Sequence, residues 1–262
     1  MTKAMLIDVS KCTACRACQV ACKQWNDLPG EVTVCLGCYD NPPDLSPDTW
    51  NRIAFWEIER GNDLAWVFRP VRCMHCADAP CVQVCPTGAL HRNELGFTAL
   101  DQSKCNGCGY CTQFCPYDIP RLSEQDVFTG KGKATKCTFC QDRATNGLVP
   151  ACAQACPTGC IQYGERDELI AKGKARVEAL QAQGLADANL YGENLLGGLG
   201  MMYVLTDRPG VFDLPERPAE GLSNFWQKIV QPLGSVAFGA TILGIIGAFF
   251  VIRRNIRMEE VQ

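Results

Sequence analysis

Cys105-Asn-Gly-Cys108-Gly-Tyr-Cys111-Thr-Gln-Phe-Cys115-Pro116 is the stretch that decides the fold. Three thiols within seven residues, a fourth four positions on and a proline after it form the CxxCxxCxxxCP run that wraps a 4Fe-4S cubane. A cubane offers four iron corners in a tetrahedral array, and one short loop reaches three of them. The fourth cysteine is expected to start the following helix, where Pro tolerates its missing N–H, and to point toward a neighbouring cluster. Such runs therefore work in pairs that exchange their fourth ligands.

Working outward, sixteen of the 19 cysteines fall into four such quartets. Cys12, Cys15, Cys18 and Cys22 form the first, and Cys73, Cys76, Cys81 and Cys85 the second. Cys105, Cys108, Cys111 and Cys115 form the third, and Cys137, Cys140, Cys152 and Cys156 the fourth. Pro86, Pro116 and Pro157 follow three of the closing cysteines, whereas Lys23 follows Cys22. The second quartet is lengthened between Cys76 and Cys81, and the fourth opens an 11-residue loop between Cys140 and Cys152. The phrases Cys85-Pro-Thr-Gly-Ala-Leu90 and Cys156-Pro-Thr-Gly-Cys-Ile161 reveal internal duplication, as tandem modules produce.

Two other uses of cysteine compete. Disulfides suit short secreted chains; this one has 262 residues, an odd cysteine count and cysteines too close together for comfortable bridging. Zinc knuckles come as separated CxxC pairs, not as three ligands within seven residues. Spacing favours iron-sulfur.

A 47% hydrophobic, 20% charged composition with a formal charge of −3 fits a globular cofactor protein with one membrane attachment. Each oxidised cubane on four thiolates adds about two negative charges. Lys11, Arg72, Lys104 and Lys136 each stand directly before a quartet. They can be read as offsetting cluster charge and raising its reduction potential, or as ordinary exposed cations. Because surface charges contribute little, the second is the expectation.

Met1 to Ser10 contains Lys3 and Asp8 and has no apolar h-region, so no cleavable signal peptide is expected. Leu233 to Ile252 is a run of twenty uncharged residues, long enough to cross a ~30 Å hydrocarbon core as one helix. Arg253, Arg254 and Arg257 follow it and only Lys228 lies close before it, which puts the C-terminus in the cytoplasm by the positive-inside rule. Phe225 and Trp226 suit an interfacial anchor. Ala240, Gly244 and Ala248 share one helix face that could dock another membrane subunit, or simply reflect the small residues common in such spans.

Elsewhere the elements are short. Ile53–Glu59 and Leu64–Phe68 read as a hairpin about Gly61-Asn62. Asp167–Gln183 reads as a helix stopped by Gly184, Met201–Leu205 as a strand, and Leu214–Glu220 as a proline-marked linker. There is no CxxCH haem site, P-loop or dinucleotide fingerprint. His75 is expected to be a hydrogen-bonding neighbour of a cluster and not a ligand, and His91 a surface residue. Cys35, Cys38 and Cys160 are expected to be unligated thiols.

The four quartets, in order and spacing, resemble the four-cluster iron-sulfur subunits that partner molybdopterin oxidoreductases. Ala17-Cys-Gln-Val-Ala-Cys-Lys-Gln-Trp-Asn26, Tyr39-Asp-Asn-Pro42, Ile119-Pro-Arg-Leu122, Met202-Tyr-Val-Leu205 and the C-terminal apolar run make the chain look most like the β subunits of membrane-bound formate dehydrogenases. The resemblance covers nearly the whole chain. It implies an α+β fold of two ferredoxin-like modules, four 4Fe-4S clusters and one C-terminal transmembrane helix. The first module would comprise residues 1–68 with 128–165 and the second 69–127, followed by an extension and linker, 166–222, and a membrane anchor, 223–262, with its helix at 233–252.

Carried over position by position, the resemblance implies four ligand sets. These are Cys12, Cys15, Cys18 with Cys156; Cys22 with Cys137, Cys140, Cys152; Cys73, Cys76, Cys81 with Cys115; and Cys85 with Cys105, Cys108, Cys111. It implies no catalytic site in this chain. Formate would be oxidised on a partner bearing a molybdenum or tungsten pterin, and electrons would pass on to a membrane cytochrome b and quinone in anaerobic respiration. The bilayer is an expected partner and nucleic acid is not. The cluster domain is expected in the periplasm, anchored in the inner membrane. A wire subunit of a hydrogenase or sulfur-compound reductase is the nearest alternative, and a zinc-stabilised membrane scaffold a more distant one.

Overall fold

The computed structural model describes residues 2–34, 37–61, 63–123, 132–219 and 231–259. The chain divides into a unit of residues 1–219 and one of residues 220–262. Cys35, Asn62, Phe225, Trp226 and Lys228 lie outside the described residues, as do the side chains of Arg254 and Arg257.

The first unit is organised by a four-stranded sheet, ordered β8-β1-β10-β9. Its strands are β1 (Lys3–Asp8), β8 (Ile161–Glu165), β9 (Asn189–Tyr191) and β10 (Met201–Leu205). β1 and β10 run parallel with Met5 opposite Met201, and β8 and β9 flank them antiparallel. All five residues of β10 are buried, as befits a central strand covered on both faces. Alternation along β1 explains how: Ala4 and Leu6 join Leu169, Leu180, Met202 and Val204 on one side, while Met5, Ile7, Met201 and Tyr203 face the cysteine-rich core on the other.

The covering helix is α6 (Arg166–Ala182), within a residue of its expected span, with Asp167 and Glu168 in its first turn and Gly184 at φ +95° beyond its end. Gly173 lets it lie close to the sheet, since a Cβ there would come within 2.8 Å of Leu190. The segment expected as an extension thus supplies two strands and a helix to the same layer as the N-terminal strand.

Asn51–Arg60 (β2) and Asp63–Arg72 (β3) form the expected hairpin, longer at both ends than its sequence signal, with Asn51 opposite Arg72. Two small ribbons complete the strands: β4 (Leu90–Arg92) with β5 (Thr98–Leu100), and β6 (Arg121–Leu122) with β7 (Ala134–Thr135).

Short helices carry cysteines. Cys18 and Cys22 lie on α1 (Ala17–Trp25), Cys81 on α2 (Pro80–Gln83), Cys111 on α3 (Tyr110–Gln113) and Cys152 on α5 (Ala151–Gln154), while α4 (Gln141–Thr145) follows Cys140. This corrects the expectation that the closing cysteine starts a helix. Cys85, Cys115 and Cys156 stand just after a helix, and the proline behind each occupies the second position of a turn. Gly88 N–H closes that turn on Cys85 C=O at 3.4 Å, and Gly159 N–H closes the matching one on Cys156 at 3.3 Å. Where Lys23 replaces proline, the helix runs on to Trp25.

In the second unit Gln231–Glu259 form α7. Among the described residues no helix is long and apolar enough to cross a membrane. Along α7 Leu243, Phe249, Phe250 and Ile252 are exposed.

Candidate iron-sulfur sites

One local device recurs in all four quartets. The residue before the second cysteine has a left-handed backbone: Ala14 at φ 53°, His75 at 49°, Gly107 at 73° and Phe139 at 62°. Three of these are not glycine, and each costs roughly 1–2 kcal/mol in that conformation. The reversal folds successive thiols to one side and turns backbone N–H groups toward them. His75 N–H lies 3.5 Å from Cys73 Sγ and Phe139 N–H 3.5 Å from Cys137 Sγ. Leu90 and Ala134 N–H groups approach Cys85 and Cys105 at 3.5 and 3.4 Å.

The quartets mix as they close. Cys85 joins Cys105, Cys108 and Cys111 around one cavity, walled by Leu90, Leu100 and Leu122. Cys12, Cys15, Cys18 and Cys156 line a second, with Cys160 as a fifth thiol. Cys22, Cys137, Cys140 and Cys152 line a third, together with Asn51 and Arg72. Cys73, Cys81 and Cys115 are the thiols that act electrostatically on Cys76.

Burial pushes these thiols up, and crowding adds to it. Cys18, Cys111, Cys115 and Cys140 are raised to about 11, and Cys137 to about 12. Cys22 and Cys76 rise well above the usual thiol value for the same first reason. Two thiols go the other way: a hydrogen bond from Cys160 lowers Cys12 to about 7, and at Cys85 burial is outweighed by hydrogen bonds from Leu90 and Thr87, which lower it. Four such thiols cannot ionise side by side unless a polycation binds them, and a metal core does so while deprotonating them outright. Among the described residues no group of three or more His, Cys, Asp or Glu closes on a single metal ion.

The cations before the quartets divide. Lys11 pairs with Asp8 at 3.8 Å and Lys104 with Asp101 at 3.3 Å, both at the surface as expected. Arg72 and Lys136 overturn that expectation, being only 1% and 2% exposed. Arg72 Nη1 donates to Cys152 Sγ at 2.8 Å, and its Nε and Nη2 have no partner among the described residues. Burial alone would lower its pKa; Cys152, Tyr203, Cys18 and Cys137 outweigh that and hold it above the usual arginine value. Lys136 Nζ donates to the carbonyls of Thr98 and Cys137 at 2.6 and 2.9 Å. Buried cations without carboxylates demand anions, and anionic cluster–thiolate groups meet that demand. The donor set and the buried cations fit 4Fe-4S clusters.

His75 is buried as a neighbour, its Nδ1 3.2 Å from Thr98 O and its ring edge-on to Phe139. Burial, then Lys136, pulls its pKa well below the usual histidine value. His91 is half-buried, its Nδ1 3.3 Å from Ala89 O. Cys38 is exposed, its thiol 3.4 Å from Asp40 O. Cys160 is buried against the first quartet. Asn51 was not visible in sequence as a site residue; only its register opposite Arg72 brings it there.

Two stretches, residues 11–89 and 64–166, match the family described as a 4Fe-4S dicluster domain. The nitrate-inducible formate dehydrogenase iron-sulfur subunit of Escherichia coli is 40% identical over 98% of this chain and 87% of its own length. The formate dehydrogenase iron-sulfur subunit of Haemophilus influenzae is 38% identical over 99% of this chain and 83% of its own. The B subunit of the anaerobic dimethyl sulfoxide reductase of E. coli is 36% identical over 63% of this chain and 75% of its own. Coverage nearly from end to end, together with cysteine sets that close across quartets, means that this chain carries several 4Fe-4S clusters and belongs to the family of formate dehydrogenase iron-sulfur subunits.

Proposed function

We propose that this chain is the electron-transfer subunit of a formate dehydrogenase complex. It would take electrons from a molybdenum- or tungsten-pterin catalytic subunit and deliver them to a membrane cytochrome b and quinone. The cross-quartet thiol cavities carry the reading, joined by the formate dehydrogenase names of relatives matched over nearly the whole chain. Sixteen cysteines would hold four clusters in the sets Cys12/Cys15/Cys18/Cys156, Cys22/Cys137/Cys140/Cys152, Cys73/Cys76/Cys81/Cys115 and Cys85/Cys105/Cys108/Cys111. The first two sets would make one ferredoxin-like module from residues 1–68 and 128–165, the other two a second from residues 69–127.

Bound clusters supply one-electron storage at low reorganisation cost. The chain's own residues fix the thiols, aim N–H groups at them, exclude water with apolar walls and set the local charge. Formate yields two electrons and a proton on becoming carbon dioxide, so the partner does the two-electron chemistry and this subunit carries single electrons away.

The apolar run 233–252 and the arginines after it support an anchor in the inner membrane, with the cluster unit in the periplasm and the C-terminus in the cytoplasm. Protease added to intact spheroplasts should then digest the cluster unit; protection until lysis contradicts the placement. For the function, formate added to the purified complex should bleach the iron-sulfur absorption of this chain. The 36% identity to a dimethyl sulfoxide reductase subunit favours one rival, a wire feeding a sulfur-compound reductase. Clusters that stay oxidised with formate yet, once reduced by dithionite, are reoxidised by dimethyl sulfoxide would establish that rival.

A further inference from the structure

We propose that Arg72 raises the reduction potential of the cluster held by Cys22, Cys137, Cys140 and Cys152. This rests on the ligand sets proposed above. Arg72 ends β3, paired across the ladder with Asn51 and one residue before Cys73, so its side chain is delivered inward by a strand and not by a mobile loop. Nη1 touches a cysteine of that set, Cys152, at 2.8 Å. Among the described residues the remaining donors, Nε and Nη2, are buried with no partner and no salt bridge involves Arg72. The side chain lines the same cavity as all four cysteines of the set.

Guanidinium stays protonated under any physiological condition, so its charge is permanent. A 4Fe-4S centre gains one negative charge on reduction. A fixed cation in contact with one ligand sulfur, in a buried site, stabilises the reduced form more than the oxidised one and raises the potential. Distance limits the effect on the others: Cys18 and Cys12 of the adjoining set feel Arg72 without touching it, and Cys85, Cys105, Cys108 and Cys111 lie in a cavity it does not line. Lys136, the other buried cation, spends two donors on backbone carbonyls and donates to no sulfur.

The test compares Arg72→Met, which keeps bulk without charge, with Arg72→Lys, which keeps charge, in the full chain purified anaerobically with its accompanying subunits. Iron and sulfide are counted, then the clusters are titrated one electron at a time by EPR. The Met variant should lower one cluster's reduction equilibrium by tenfold or more, which is 59 mV for a one-electron couple, with smaller shifts in the clusters of Cys12 and Cys73 and none in that of Cys85, Cys105, Cys108 and Cys111. The Lys variant should recover at least half of that shift. Four unmoved potentials in a Met variant with full iron overturn the proposal, as does an equal shift in both variants. Loss of the same four irons from both variants also overturns it, because the residue would then be needed to build the site. Wild-type chain without acid-labile sulfide would instead overturn the ligand sets beneath it.

Discussion

Phe97 stacks on Phe139 with ring centroids 5.0 Å apart and planes 15° from parallel, and both rings are fully buried. Phe139 belongs to the fourth quartet's loop and Phe97 precedes β5, so this stack joins regions from the two proposed modules, with His75 edge-on at 4.9 Å to Phe139. Phe139→Ala should cost about 3–5 kcal/mol through lost burial and a cavity. Anaerobic denaturation followed by visible absorbance should show the midpoint falling; an unchanged midpoint would mean that the stack contributes nothing.

Purified without oxygen, the chain should hold about sixteen irons and as many acid-labile sulfides. Cys108, on the same cavity as Cys85, Cys105 and Cys111, should be indispensable, so Cys108→Ala should remove about four irons. Cys38→Ala should leave the count unchanged, the thiol being exposed and distant from any quartet in sequence. Stoichiometric zinc with little sulfide would end the cubane reading.

Gly107 sits at φ +73°, and a Cβ there would lie 2.2 Å from the carbonyl oxygen of Gly132. Backbone cannot yield as a flexible side chain would, so Gly107→Ala should distort the third quartet's loop. The expected result is loss of the cluster involving Cys105, Cys108 and Cys111, measured as iron content. Gly61→Ala, where the added methyl meets nothing within 4 Å, is the control for backbone strain alone and should keep all iron.

Stripping the clusters should do more than remove colour. Without anions, Arg72 and Lys136 become uncompensated buried charges, each costing several kcal/mol. The apo chain should open around residues 72–76 and 136–140, with faster amide exchange there than in α6. Equal protection in apo and holo chains would show that other groups neutralise these cations.

Lys3 donates to Glu165 at 2.5 Å across the β1–β8 ladder, and that bond raises the lysine pKa. A raised folded value means the stabilisation is complete below the unfolded value near 10.5 and fades as pH climbs through the folded one. Both side chains are about a third exposed, so the gain should stay below about 1 kcal/mol. Glu165→Gln should narrow to wild-type stability only in strongly alkaline solution; a difference that closes by neutral pH would point to another group.

Local signals were legible because local chemistry makes them. The four quartets, the β2–β3 hairpin, the α6 helix and the β10 strand at Met201–Leu205 each follow from neighbours in sequence. Pairings over distance were not: nothing near Met5 announces Met201. Arg72 and Lys136 read as surface cations because a charged residue beside a cysteine carries no mark of burial. Their environment is assembled from Asn51, Cys152 and Thr98, far away along the chain. Cys85, Cys115 and Cys156 follow their helices and do not start them, a difference the sequence hides because proline suits a helix start and the second position of a turn equally well.

The parallel ladder between β1 and β10 imposes an order on biosynthesis. A ribosome releases Met5 early and Met201 only after every quartet has emerged, so the central strand arrives when all sixteen thiols are already outside the exit tunnel. Until then β1 lacks its parallel neighbour and presents an open edge. Sheet closure thereby waits until residues 201–205 have emerged, and nascent fragments ending before Met201 should be digested by protease where the finished polypeptide resists.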